Sequence, residues 1–485
     1  MSARRVIVIG SGPGGSAFGA LMAHAGHHVT ILERNGFSGG KCSSLPHGGY
    51  VVDTGVHMFG RGPLGPFGEV SRILGVGPRW SAATPAFTLS LSGGHKLEMA
   101  SSIAHPVSLL NFLKGHLRGW QRMGWTSTAV KSLHELGPAR LFSLARGFND
   151  RRYPLYGELQ DVCVRDFFSS ISDCDDFLRT FHAQAMLTMV LPWHRASMGE
   201  FAYILASTMR ASRLCYPRGG SGAIPASFLR ALERRGGEIR LGCEVASIEI
   251  AGGRARGVIT AEGEFIPGDT VVSSAGLRRT IELAGRDAFP AVYVDRADGL
   301  RDSEAFIAVK FFLDRKISSI RTPCLLHMPG LSPHGMFDYL EDGSIPAELF
   351  LFVTAPGRWD PSLVPPGGDC LIFGVPAPSR LDRGAQAEAL LDLAEEMAAA
   401  IFPEISAATV AVERIMCTDV SCLSGRISGD CIGIAQEVGQ SGSFRPRSAT
   451  PVDGLFLAGA DAGGRGIGTE MAADSALRLY WQLKV

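Results

Sequence analysis

The chain has 485 residues carrying 47 basic and 47 acidic side chains, so its formal net charge is zero. A neutral chain has no electrostatic footprint for a phosphate backbone, which removes nucleic acid from its expected partners. Hydrophobic residues make up 46% and charged residues only 19%, which excludes a disordered chain and calls for a large core in more than one domain.

The opening Met1-Ser2-Ala3-Arg4-Arg5 runs straight into Val6-Ile7-Val8-Ile9, an apolar run too short for a signal-peptide core. No stretch approaches the roughly 18 to 20 consecutive apolar residues of a membrane span. Ten cysteines without a CxxC pair read as reduced thiols. The expected location is the cytoplasm.

Val6 to Ile9 suits a strand buried on both faces of a parallel sheet. It ends in Gly10-Ser11-Gly12-Pro13-Gly14-Gly15, and a helix is expected over 16–25. In a dinucleotide-binding unit Gly10 permits the tight turn, Gly12 lets backbone approach a pyrophosphate, and Gly15 lets helix and strand pack closely. The amides of that helix start would face the phosphates. Gly26 stops the helix, and a second strand over 28–32 closes on Glu33, 23 residues after Gly10, where a ribose-binding carboxylate belongs. NAD and FAD both use this unit, so the fingerprint alone does not choose between them.

The next residues do. Glu33-Arg34-Asn35 is followed by Phe37-Ser38-Gly39-Gly40-Lys41-Cys42 and then by Val52-Asp53-Thr54-Gly55-Val56-His57. A second glycine pair after the ribose acid resembles the extended signature of FAD-dependent amine oxidases and phytoene desaturases. The resemblance implies that this segment runs beside the pyrophosphate and ribityl chain, with Gly39, Gly40, Lys41 and Gly55 as cofactor contacts. Gly14 and Arg34 join the cofactor-binding set at this end. His57 is a candidate to touch the ring or the substrate, against the commoner role of a structural histidine.

Residues 60–210 then read as mostly helical. Pro106 suits a first helical turn, after which Leu109, Leu110, Leu113, Leu117 and Trp120 share one face while Lys114, Arg118 and Arg122 lie elsewhere. Such a helix suits peripheral contact with a membrane interface, or a core-facing helix with a solvated back. A second helix over 177–191 is apolar on nearly all sides and is expected to be buried or to wall a tunnel. A third follows over 198–209, also rich in methionine and aromatic residues.

Tyr216-Pro217-Arg218-Gly219-Gly220-Ser221-Gly222-Ala223-Ile224-Pro225 opens a helix over 226–235. Gly236 to Leu241, Glu244-Val245 and 270–275 follow in the order found in phytoene-desaturase-like flavoproteins, where the valine, here Val245, packs on the adenine side. This glycine run lacks a preceding buried strand and a following ribose acid, so it is not a second nicotinamide domain. Strands over 305–313 and 347–354 are expected to floor the site. The loop 355–367, before a return strand over 369–375, also resembles that family.

The last matching block runs from Phe444-Arg445-Pro446 through Gly454 to Asp461 and on to Ala472. A buried strand over 455–458 leads to a glycine-rich turn and a final helix over 470–483, whose free amides can stabilise negative charge on a reduced flavin. By the resemblance Gly459, Asp461, Gly468 and Thr469 are cofactor contacts, Asp461 toward the ribityl or phosphate side. Carotenoid desaturases carry an acid-free, proline-containing turn here; this chain has Arg465-Gly466-Ile467-Gly468-Thr469-Glu470. Glu470 is therefore a candidate acid or base, or a complement to the helix dipole.

The expected fold is α/β: a Rossmann-type, glutathione-reductase-like FAD-binding domain (1–60, 211–294 and 426–485) interleaved with an α+β substrate domain (61–210 and 295–425). The expected function is an FAD-dependent oxidoreductase, a desaturase that passes hydride from a hydrophobic, carotenoid-like or other natural product to flavin N5. Oxygen or a quinone would take up the electrons. The alternatives are an amine or amino-acid oxidase and a double-bond reductase resembling retinol saturases. A prenyl carrier resembling Rab escort proteins is disfavoured by the intact glycines and Glu33. No CxxC pair and no GxSxG turn is present, and no metal site is expected.

Overall fold

A computed structural model describes residues 3–55, 58–83, 85–91, 96–99, 155–171, 173–211 and 214–484. The expected amphipathic helix after Pro106 lies outside the described residues. The first strand, Arg5–Ile9, is central in a five-stranded sheet ordered Leu455–Leu457, Thr270–Ser273, Arg5–Ile9, His28–Glu33 and Glu238–Leu241. Every pairing in it is parallel, with Val6 opposite both Thr270 and Val29. Segments from the beginning, middle and end of the chain thus share one sheet.

The helix Pro13–His24 follows the first strand with Pro13 at its start, where the missing N–H costs nothing. Phe18, Leu21 and Met22 are all buried, because the sheet and the helices Ala223–Glu233 and Gly468–Leu483 surround this helix. A helix apolar all round can only exist in such a place. Glycine makes the close approach possible: a Cβ on Gly19 would lie 2.7 Å from Ile31 Cδ1. The short helix Pro66–Leu74 packs on the same layer through Phe67 and Val70. The opposite face of the sheet carries a three-stranded antiparallel meander, Val245–Ala251, Arg254–Thr260 and Phe265–Pro267.

The second unit is built on a seven-stranded sheet ordered Thr409–Ile415, Ala305–Leu313, Asp369–Ala377, Leu351–Thr354, Cys324–Met328, Phe87–Leu91 and Lys96–Met99. One face packs on the helix Gly384–Ile401. Alternation sends Ala308 and Phe312 to the other face, against Tyr50 and Val52 of the hairpin formed by Ser44–His47 and Tyr50–Asp53. The helices Asp175–Met189 and Met198–Ala211 pack together on an apolar cluster around Phe201 and Trp193. All ten cysteines are free thiols. Among the described residues no helix is long and apolar enough to cross a membrane.

Candidate active site

A cavity of about 560 Å³ runs from the carboxyl ends of the parallel strands to the face of the seven-stranded sheet. Its first half is lined by the glycine turn after Arg5–Ile9. Gly10 has φ +92°, the left-handed conformation that the tight turn requires. A Cβ on Gly12 would meet nothing nearer than Gly39 O at 3.9 Å, so this position faces open space. A Cβ on Gly15 would lie 2.0 Å from Gly10 O, and one on Gly14 2.7 Å from Ala458 O. Gly15 is therefore a packing glycine behind the cavity wall, whereas Gly14 both packs on Ala458 and lines the cavity.

Glu33 closes the second strand as expected and is buried. Its carboxylate accepts from Ser11 N at 2.9 Å, Ser11 Oγ at 2.7 Å and Asn35 N at 2.9 Å, while its flank remains on the cavity wall. Ser11 Oγ in turn accepts from Gly39 N at 3.1 Å, tying the two glycine motifs together. Gly39, with φ +109°, stands behind the wall; Gly40, Lys41 and Gly55 are on it. Arg34 lines the cavity with its guanidinium on Cys422 O, and Val245 lines it beside Glu244. His57 lies outside the described residues.

Two helices begin at this cavity, Pro13–His24 after Gly12 and Gly468–Leu483 after Ile467, and neither has a side-chain cap. Their first-turn amides stay available to a ligand, each with the positive end of a helix dipole behind it. Gly459, Gly468 and Thr469 are on the wall.

Asp461 borders a small cavity adjoining the main one, and its carboxylate accepts from Leu277 N at 2.9 Å, Ile434 N at 3.0 Å and Arg426 Nη1 at 2.9 Å. Burial opposes its ionisation, but Arg426 and the two amides prevail and hold the carboxyl well below the usual range. Arg426 also reaches Asp430 at 2.5 Å and Asp302 at 3.5 Å, and Lys41 Nζ meets Asp430 at 3.0 Å. Arg278 completes the cluster at 2.9 Å from Asp302. Lys41 and Arg426 line the cavity, Asp302 and Asp430 do not, and Asp461 borders a small adjoining cavity together with Arg426. No periodic pattern announces this network, because its members come from five separate segments.

Glu470 touches the cavity and its carboxylate has three donors: Oε2 accepts from Arg61 Nε at 2.6 Å, and Oε1 from Arg61 N and Gly62 N, both at 3.1 Å. Both side chains are buried. The buried ion pair with Arg61 makes this carboxylate an anchor for the loop at Arg61.

Asp53 joins motifs that look separate in the sequence. It accepts from Ser44 Oγ at 2.5 Å, from Ser221 N at 2.9 Å and from the Tyr216 hydroxyl. Burial pushes its carboxyl up in spite of those donors. Trp359 of the loop 355–367 stacks on Tyr216, and Asp360 accepts from Gly219 N at 2.8 Å. Three family-like blocks therefore form one clamp beside the Thr54-Gly55 wall.

The second half of the cavity is apolar. Phe306 and Phe352 come from the large sheet, Phe87 from its far side, Leu187 from one helix and Ile204 and Leu205 from the next. Lys310 also lines it, a buried cation 3.2 Å from Glu413 on the neighbouring strand. The sequence signal for it was a single lysine in the nonapeptide run Ala305–Leu313.

Residues 18–479 match the family described as flavin containing amine oxidoreductase. The chain belongs to that family. It is an FAD oxidoreductase, and the glycine turn, the buried Glu33 and the uncapped helix starts fit this cofactor. The phytoene desaturase of Fusarium fujikuroi is 28% identical over 404 residues, 77% of this chain and 66% of that protein. The chain thus spans just under two thirds of that relative, and 62% of the phytoene desaturase of Cercospora nicotianae. The zeta-carotene-forming phytoene desaturase of Myxococcus xanthus is 28% identical and matched more fully, over 94% of this chain and 89% of that protein. An oxidoreductase structure from Methanosarcina mazei superposes with a TM-score of 0.73 at 20% identity, covering 98% of this chain and 99% of that one. Putrescine oxidase bound to putrescine superposes at 0.64 with 14% identity, covering 99% of each chain. At these identities the structures establish a shared fold.

Proposed function

We propose that the protein is a desaturase of an elongated apolar substrate, with electrons passing on to oxygen or a quinone. The observation that carries this reading is the apolar second half of the cavity, continuous with the cofactor half. The names of the curated relatives, phytoene desaturases at 24–28% identity, agree with it. When bound, FAD supplies a two-electron acceptor that takes hydride at its ring.

The chain's own groups then have distinct tasks. Glu33 and Val245 would hold the adenosine end of FAD, and the amides after Gly12 would take its pyrophosphate. The helix start at Gly468 offers its dipole to negative charge at the ring. Phe306, Phe352, Leu187 and Ile204 orient an apolar chain and exclude water. At this end the carboxylate of Glu470 is occupied by Arg61 and Lys310 is paired with Glu413, so no unpaired carboxylate among the described lining residues offers itself as a base.

The test is anaerobic mixing of the flavin-loaded protein with a polyene set that includes phytoene, and separately with an amine set. Bleaching of the flavin bands by polyenes supports the reading. Bleaching by amines alone overturns it.

A further inference from the structure

Within the apolar half of the cavity two polar side chains, Gln184 and Thr208, have no hydrogen-bond partner among the described residues. Gln184 lies on Asp175–Met189 at the helical spacing that puts Leu187 and Thr188 on the same wall. Thr188 is satisfied, since its hydroxyl donates to Gln184 O at 2.7 Å. The Gln184 amide itself, two donors and an acceptor, makes no hydrogen bond among the described residues. Thr208 lies on the adjoining helix Met198–Ala211 and lines the same cavity. The neighbouring Ser207 donates back to Ile204 O at 2.9 Å, the usual way a helical hydroxyl is satisfied, but Thr208 makes no such bond. Both residues are only partly covered by protein, and the space they face is this cavity.

Polar groups on an apolar wall are costly when a ligand removes their water and returns nothing. A pure hydrocarbon in this chamber would do that to Gln184 and Thr208 together. We propose that the substrate carries a hydrogen-bonding oxygen function, a hydroxyl or carbonyl, on its apolar skeleton, and that Gln184 and Thr208 select for it. This rests on the apolar-substrate reading above and narrows it, from a hydrocarbon such as phytoene to an oxygenated terpenoid. Lys310 does not serve in this recognition, because Glu413 already compensates it.

The experiment compares two probes on the flavin-loaded protein: geranylgeraniol and the tetraene in which its hydroxyl is replaced by hydrogen. Dissociation constants come from perturbation of the flavin spectrum. The alcohol should bind on the order of tenfold tighter or more, since a site built to hydrogen-bond a substrate oxygen rejects the analogue lacking it. Gln184→Leu with Thr208→Val should erase that preference while leaving hydrocarbon binding equal or better, and Thr208→Ser should retain it. Equal binding of both probes by the wild type, or a preference untouched by the double substitution, overturns this inference and leaves the apolar-substrate reading standing. Failure of both probes to bind the wild type overturns the apolar-substrate reading and this inference with it. The wild-type comparison needs no variant to fold.

Discussion

Glu470→Gln and Glu470→Ala separate an anchor from a catalyst. In the structure Glu470 compensates an arginine, Arg61, that is 7% exposed, and accepts from two backbone amides besides. Glu470→Ala leaves Arg61 charged, buried and unpaired, which for pairs of this kind costs about 3–5 kcal/mol. Glu470→Gln keeps an oxygen for the two amides but not the charge, so its cost should fall toward the lower end of that range. Removing both partners, as in Arg61→Met with Glu470→Leu, should recover much of the loss, because the destabilisation comes from the orphaned charge. Urea denaturation of the apoprotein at neutral pH reads these differences as shifts in midpoint. Turnover by the folded fraction of Glu470→Gln should stay within about tenfold of wild type, whereas a lost general acid or base costs roughly 10²–10⁴-fold. A Glu470→Gln protein as stable as wild type but slower by more than a hundredfold would refute the anchor assignment.

Further substitutions test the cofactor cradle. Glu33→Ala should raise the FAD dissociation constant roughly 10- to 100-fold, the equivalent of about 1.5–3 kcal/mol for charge-assisted bonds; flavin titration of the apoprotein showing no change would count against Glu33. Gly12→Ala should leave apoprotein stability nearly unchanged, since the nearest atom to its Cβ is 3.9 Å away, but weaken FAD binding. Gly15→Ala should do the reverse and destabilise the apoprotein itself, its Cβ colliding with Gly10 O at 2.0 Å. Denaturation and FAD titration of the pair read the two effects separately. Asp461→Asn should cost stability most at neutral pH. The folded Asp461 carboxyl is depressed, so its contribution is present above the ordinary aspartate value near about 3.9 and is lost as pH falls through the still lower folded value. The gap between wild type and Asp461→Asn should therefore stay constant from pH 8 to 5 and narrow only in stronger acid; a gap that widens from pH 5 to 8 would contradict the assignment.

What could be read from the sequence is what local chemistry dictates. The strand, the glycine turn, the helix and the acid at Glu33 are neighbours in the chain, so their pattern carries their geometry. The same holds for Ala305–Leu313, where nine residues alternate between two buried faces. Element ends shifted by a few residues, as where the helix expected from 16 begins at Pro13, because proline at a first turn also belongs to the turn before it. Partnerships across the chain could not be read. Asp53 and Tyr216 are 163 positions apart, and Arg61 and Glu470 are 409 apart. Nothing in the local pattern of Glu470 distinguishes an acid awaiting a substrate from one already committed to an arginine. Asp461 shows the same limit: the turn after Gly459 is local, but the donors to its carboxylate come from Leu277, Arg426 and Ile434 in other segments.

The buried charges around Arg426 gain a meaning from their placement. Three cations, Lys41, Arg278 and Arg426, meet three anions, Asp302, Asp430 and Asp461, so the cluster is neutral as a whole. It is not symmetric, however. Lys41 and Arg426 line the main cavity and none of the three aspartates does, which turns the positive members of the cluster toward the ligand. Burying isolated cations there would be prohibitive, whereas compensated ones can be held in place and still present positive potential over a short range. The helix starts after Gly12 and Ile467 point the same sign into the same space. A dianionic pyrophosphate and a ring that gains negative charge on reduction both benefit from that field, and an apolar substrate beyond it is indifferent. The chain can thus combine zero net charge with a strongly polarised cofactor site, because the polarity lies in the placement of the charges and not in the sum.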